Sequence, residues 1–445
     1  YNGAWVFTDS KNRSMYNAEK TVFMPRVGVA IRIDDRTAFR AGFARYVIPP
    51  LLQQNTLASA TMPMWGYSAQ TFVAPFLQGV PGATISDPFP VTNPLILPKQ
   101  KSLGRYTNLG DAPFYYKQDM KTGVNDRINF SIQRALPNRI HVDVTWFMNF
   151  GRKLPYSKLM NLADPNVYYT IKSEWDRQVP NPFYNYLTPD KFPGALRNQR
   201  TVTVGSLLTP YPQYRGLSQY NTDGIVNRYR ALQLRVQRAF SAGYSFLFAY
   251  NYNQEKNYEF FDDIARYAEK FTFIDGNMPR HRISAAGSWD LPFGKGRPYL
   301  NSLHPVLNAI VGGWQTSHLL MANSGPPLRF GTMIAPAQAP KVLRERTKWF
   351  DTTGFARQPA YTPRTNPWQY PGVNGPKYWN LDSTLTKTFP IKERYTLEFR
   401  FETYNTTNVF VPTNPNLTVT SSGFGRTESQ QNRGRECQYS LRIIF

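Results

Sequence analysis

Residues able to do acid–base, nucleophilic or metal chemistry are few in this chain and poorly spaced for it. The four histidines, His141, His281, His304 and His318, lie far apart with no i, i+4 pair, so structural roles outrank a metal site. The single cysteine, Cys437, excludes an internal disulfide and a cysteine-based zinc site. Asp262-Asp263 offers two carboxylates to a cation, but the pair reads first as the cap of a short loop helix. Gly423-Phe424-Gly425-Arg426 has the glycines of a phosphate loop; it lacks the following Lys-Ser/Thr and the strand-to-helix setting. No Ser/His/Asp motif and no pair of catalytic carboxylates stands out. The sequence therefore argues against an enzyme and implies no cofactor.

Another set of polar residues is better organised. Arg40, Asp143, Arg235, Glu398, Arg400, Glu402 and Arg442 each occupy alternate positions opposite apolar ones. On a strand that spacing gives one wet face and one apolar face. Their chemistry is mutual pairing and hydration of a wet interior, or contact with a solute held there. Aromatic side chains in long connections, Trp65, Tyr67, Tyr184, Tyr186, Trp368 and Tyr370, either stack on sugars or peptides or pack the loops themselves.

The elements positioning these residues alternate apolar and polar with period two. The closing segment sets Cys437, Tyr439, Leu441, Ile443 and Phe445 on one side, with Gln438, Ser440, Arg442 and Ile444 on the other. The clearest hairpin takes Ile128, Phe130 and Ile132 through Leu136-Pro137-Asn138 into Ile140, Val142, Val144, Trp146, Met148 and Phe150. Further hairpins turn at Asp34-Asp35-Arg36, Ser241-Ala242-Gly243 and Pro390-Ile391-Lys392-Glu393. A wider connection from Asn301 to Gly313 predicts a helical turn through Pro305–Ala309 before a strand resumes at Trp314.

Short turns alternate with long connections, at 48–126, 152–228, 255–280, 325–378 and 407–434. Long loops at one end and short turns at the other are the asymmetry of outer-membrane barrels. A soluble β-sandwich binding acidic glycans is the alternative, and it gives no reason for that one-sidedness. Of 445 residues 41% are hydrophobic and 15% aromatic, yet no run approaches the roughly 18 apolar residues of a membrane helix. Barrel strands need only about 9–11 alternating residues each. The fold class that follows is all-β: an antiparallel transmembrane β-barrel, about eleven strands here, with long extracellular loops.

The net charge of +23 raises nucleic acid as a partner. Lys and Arg are dispersed, however, with no run of five or six. Dispersed basic charge suits outer-membrane lipid and lipopolysaccharide, or an anionic solute, and argues against nucleic acid. Residues 1–24 read as an extracellular loop segment and 25–445 as the C-terminal part of a barrel. The opening Tyr1-Asn2-Gly3-Ala4-Trp5 lacks the charged and apolar regions of a signal peptide. Single-chain bacterial barrels have even strand numbers, so an odd count predicts half of a larger barrel.

Several stretches carry a family likeness: Phe23-Met24-Pro25-Arg26-Val27-Gly28-Val29-Ala30, Arg40-Ala41-Gly42-Phe43-Ala44-Arg45-Tyr46, Gly312-Gly313-Trp314-Gln315 with Asn323-Ser324-Gly325-Pro326-Pro327, Asn380-Leu381-Asp382 with Lys387-Thr388-Phe389-Pro390, Phe399-Arg400-Phe401-Glu402-Thr403-Tyr404-Asn405, and the closing strand. In this order they resemble the C-terminal half of the barrel of TonB-dependent outer-membrane receptors, in particular the Oar-like subgroup of Acidobacteria, whose members often carry a carboxypeptidase-regulatory-like domain. The resemblance implies the last half of a barrel of about 22 strands, with the plug domain absent from this chain. It implies import of a bulky or scarce solute such as a glycan, peptide or chelate, with energy relayed by TonB through that plug. It also implies that Tyr439, Leu441, Ile443 and Phe445 form the signal read by the barrel-assembly machinery, and that the remaining half of the barrel is a partner. An adhesin or structural scaffold acting through its surface loops shares the same barrel and is the alternative; a passive porin does not need such long loops.

Overall fold

Period-two alternation becomes eleven antiparallel strands, each paired with its neighbour in chain order. They are β1 (Arg26–Arg32), β2 (Thr37–Ile48), β3 (Gly123–Leu136), β4 (Ile140–Leu159), β5 (Ser218–Ser241), β6 (Tyr244–Phe260), β7 (His281–Asp290), β8 (Trp314–Asn323), β9 (Tyr378–Lys392), β10 (Tyr395–Tyr404) and β11 (Glu436–Ile444). The computed structural model describes residues 5–7, 9–13, 17, 19–48, 76–77, 80–81, 84–91, 100–260, 271–392 and 395–445. Two short segments extend the sheet: Phe114–Tyr116 runs parallel to the start of β5, and Phe271–Asp275 runs antiparallel to the end of β6. β1 and β11 are the edges, and among the described residues no strand lies beyond either.

The register decides what each face carries. One row runs Ile31, Phe39, Ile132, Val144, Leu234, Tyr250, Ile283, Ala322 and Trp379 across nine strands. Leu385, Phe401 and Tyr439 continue this apolar face at the far edge. These side chains stand open, with Val27 64% and Tyr439 70% exposed. A contiguous apolar face of this size is the surface of a sheet bathed in lipid. On the other face, Arg40, Ser131, Thr145, Gln233, Asn251, Arg282 and Asn323 form an unbroken polar row.

Turns are short at one end of the sheet, at 33–36, 137–139 and 242–243. Ala242 and Gly243 both take positive φ, 51° and 86°, as a two-residue hairpin turn matched to strand twist requires. The connection 291–313 carries the expected helical segment, α1 (Pro305–Val311).

At the other end two strands run further than alternation predicts. β4 continues to Leu159 and β5 starts at Ser218, so the connection is 160–217 rather than 152–228. Past Gly151 the regular apolar–polar alternation breaks down while the pairing continues, through Leu154↔Ile225 to Leu159↔Ser218. A pattern read from hydrophobicity is blind to them. Likewise β6 passes the expected boundary at 255 and ends at Phe260.

Hydrophobic cores sit in the loops, because a single sheet has no second layer to pack against. Phe183, Phe192, Leu196 and Val202 form one core. Leu328, Phe330, Met333, Trp349, Phe350, Tyr370 and Val373 form a second, with Leu417, Val419 and Phe424 reaching in from the loop after β10. Gly325 is obligatory at the base of this unit: a Cβ there would lie 1.8 Å from the carbonyl oxygen of Gly375.

The loops are also joined to one another. Gln369 accepts from the backbone N–H of Asp275 at 2.7 Å and donates to its carbonyl at 2.9 Å. Tyr361 bonds to Asp176 and packs its ring 5.5 Å from Tyr168. Trp349 donates its backbone N–H to Gly425 O at 2.8 Å. The segment before β1 touches the same end, where Glu19 accepts from Thr122 N at 2.7 Å and Trp5 packs edge-on to Tyr115.

Candidate functional site

The polar face is the candidate site. On β3, β4 and β5 the rung Gln133–Asp143–Arg235 puts three polar side chains side by side. Asp143 accepts from Gln133 Nε2 at 2.6 Å and from Thr145 Oγ1 at 2.7 Å. Arg235 faces Asp143 across the ladder, and among the described residues it forms no ion pair. With Arg134, His141 and Gln237 these residues line a cleft of about 560 Å³ near the short turns. Arg40 lies one rung higher, opposite Ser131. A second cluster sits five strands away: Glu398 faces Arg442 across β10 and β11, and Arg400 Nε lies 3.6 Å from Glu402 Oε1. The seven charged residues thus share one face but form two groups, Arg40, Asp143 and Arg235 in one, Glu398, Arg400, Glu402 and Arg442 in the other.

Sequence reasoning missed members of that face. Arg282 stands between Asn251 and Asn323; Asn251, and Asn149, which alternation already puts on the polar side, each hold a buried side-chain carbonyl without a hydrogen-bond partner among the described residues. Asn251 Nδ2 lies 3.4 Å from the hydroxyl of Tyr229. These are ordinary polar residues in sequence, and only the register shows that they are neighbours. An array of unpaired arginines and unsatisfied carbonyls has the chemistry to hold a polar, anionic solute by directed hydrogen bonds.

The aromatic candidates separate. Tyr184 and Tyr186 are exposed on the loop after β4. Trp368 lies between Arg364 at 3.5 Å and Arg329 at 4.6 Å from its ring. Tyr370 takes the second of the two roles, packing the loop: it is 5% exposed within the loop core and donates its hydroxyl to Pro336 O at 2.7 Å. Burial pushes the titration of that phenol upward. Trp65, Tyr67, Asp262 and Asp263 lie outside the described residues. In the same loop unit, hydrogen bonds from Lys348 and Thr353 lower the Asp351 carboxyl to about 2.

Three of the four histidines have hydrogen-bond partners. His141 lines the cleft; His281 bonds Tyr250 at 2.8 Å; His304 caps α1; His318 bridges Thr316 and Ser383 at 3.0 Å each. Gly423–Arg426 packs against the second loop core, Phe424 meeting Phe350 edge-on.

Eleven strands in chain order, an apolar outer face, a polar inner face and loops gathered at one end define an outer-membrane β-barrel domain. The chain belongs to the outer membrane beta barrel domain family, whose profile matches residues 1–438. Among solved structures it is similar to the ferripyoverdine receptor of the outer membrane of Pseudomonas aeruginosa, at 10% identity over 96% of this chain and 33% of that one, TM-score 0.42. It is also similar to the siderophore receptor PirA from Acinetobacter baumannii, at 10% identity over 95% and 40%, TM-score 0.42. A third is the ferric-catecholate import receptor Fiu from E. coli K12, at 7% identity over 94% and 34%, TM-score 0.41. The chain therefore spans 33–40% of the length of these receptors. No curated protein matches it.

Proposed function

We propose that this chain forms the C-terminal strands of an Oar-like, TonB-dependent outer-membrane receptor that imports a bulky or scarce anionic solute, a glycan, peptide or chelate. The supporting observation is the polar face, where Arg40 and Arg282 stand in one row and Arg235 in the next, none of them in an ion pair among the described residues. Remaining strands of the same receptor close the barrel against β1 and β11, since unpaired backbone edges are not sustained in lipid. Energy reaches the solute through TonB acting on a plug domain.

The test uses cells supplying the full-length receptor with Arg40, Arg235 and Arg282 replaced together by glutamine. Radiolabelled anionic oligosaccharides, peptides and ferric chelates are offered in turn. Loss of several charge-assisted contacts, each about 1.5–3 kcal/mol, predicts at least a tenfold fall in uptake of the accepted class at unchanged surface amount. A protonophore should abolish uptake by the unsubstituted receptor. Uptake that survives the protonophore defeats the energised reading; loop-dependent attachment to surfaces with no uptake of any class favours the adhesin.

The same proposal assigns Tyr439, Leu441, Ile443 and Phe445 to recognition by the barrel-assembly machinery. Phe445→Ala is expected to lower the amount of heat-modifiable protein in the outer membrane several-fold, with binding per assembled molecule unchanged. Normal outer-membrane levels would contradict the assignment.

A further inference from the structure

We propose that the connection between β7 and β8 is an interfacial anchor: α1 lies on the lipid side of the barrel and inserts Val306, Leu307 and Ile310 into the phospholipid leaflet at the short-turn end. The helix is inside out for a water-facing element. Asn308, its polar residue, turns toward the protein, and its Oδ1 accepts from Lys295 N at 2.6 Å. Val306, Leu307 and Ile310, spaced i, i+1, i+4 on the opposite side, are 62%, 51% and 62% exposed. Apolar side chains directed away from their own protein favour an apolar surrounding by about 25 cal/mol per Å².

The seat of the helix says which surrounding that is. Ile310 O accepts from Trp314 Nε1 at 2.9 Å and from Lys387 Nζ at 3.1 Å, and Gly312 O accepts from the same ammonium. Trp314 and Lys387 are direct partners in a row that continues through Phe399 and Leu441, which is the apolar face. The C-terminus of α1 therefore rests on the lipid side, away from the polar interior. Lys387, a cation in an apolar row, directs its donors to the last carbonyls of the helix and lies 4.9 Å from the rings of both Trp314 and Phe389. Exposed Trp289, Phe293, Tyr299 and Leu300 belong to the same stretch of chain. The apolar band and the helix thus form one surface, and the occupant of the band, lipid, is the occupant of the helix face.

The experiment uses the full-length protein in isolated outer membranes, with Cys437→Ser and single cysteines at Val306, Leu307, Ile310 or the reference Ser302, each carrying a nitroxide. Heat-modifiable migration confirms folding of each variant. Power saturation is then read with oxygen, which concentrates in lipid, and with a water-soluble nickel chelate. The three helix positions should favour oxygen several-fold over the chelate, and Ser302 should show the reverse. Equal chelate access at all four positions overturns the anchor. Shielding of 306, 307 and 310 from both reagents also overturns it, showing that a protein covers the helix. Neither outcome bears on whether the receptor imports a solute.

Discussion

Phe350→Ala is expected to unfold the loop unit between β8 and β9 while the strands remain paired. Phe350 is fully buried and meets Phe330, Phe355 and Phe424 at ring separations of 5.6, 5.7 and 5.6 Å. Truncating a buried phenylalanine costs about 3–5 kcal/mol through lost transfer energy and the cavity left behind. A loop unit has no other layer to share that loss. Phe424 enters from the loop after β10, so both loops should loosen together. Limited proteolysis of intact cells would report this as rapid cleavage within 324–377 and 405–435, with heat-modifiable migration retained. Unchanged protease resistance would show that the unit is not held by its aromatic core.

The second large effect separates the two faces of one strand. Leu234 faces outward midway between Arg230 and Arg238, in the row of Val144 and Tyr250. Leu234→Arg is expected to destabilise the folded barrel by about 2–4 kcal/mol, the cost of an arginine on the lipid face near the bilayer centre. Its neighbour Gln233 points to the polar interior beside Thr145 and Asn251, and Gln233→Arg should change stability by under about 0.5 kcal/mol. Urea unfolding of the full-length protein in lipid vesicles measures both. Equal effects at the two positions would mean that the sheet does not separate lipid from water.

Arg238 explains why the outward face tolerates a few charges at its margins. Near the short turn its guanidinium donates to the carbonyls of Asn138, Ser241 and Tyr244 at 2.9, 2.7 and 2.9 Å and stacks on the Tyr244 ring. Lys387 does the same work for α1. Both replace lost hydration with backbone acceptors, and neither solution is visible in a hydropathy pattern.

The strands were legible because lipid on one side and water on the other impose a period of two on the sequence itself. From Ile128 to Phe150 the alternation and the Leu136-Pro137-Asn138 turn mark a hairpin that the structure contains. The strand extensions 152–159 and 218–227 were not legible, because their register shifts break the alternation and their side chains meet distant segments, Tyr220 stacking on Phe114 and Asp223 pairing with Lys117. The loop cores were hidden for a related reason: Phe330, Phe350 and Tyr370 are spaced irregularly and meet only when distant turns close on one another.

The sequence by itself determined the class of fold, the two faces of each strand and the sidedness of the loops, since each follows from local alternation and turn spacing. Tertiary structure alone decided which polar residues are neighbours. Register brought Arg282 beside Asn251 and set Arg235 opposite Asp143, whose oxygens accept from Gln133 and Thr145. It also decided between stacking and packing for Tyr370, which is a core residue. Hydrogen bonds and burial act between chain segments 10 to 100 positions apart, and no local pattern records which distant segment will arrive.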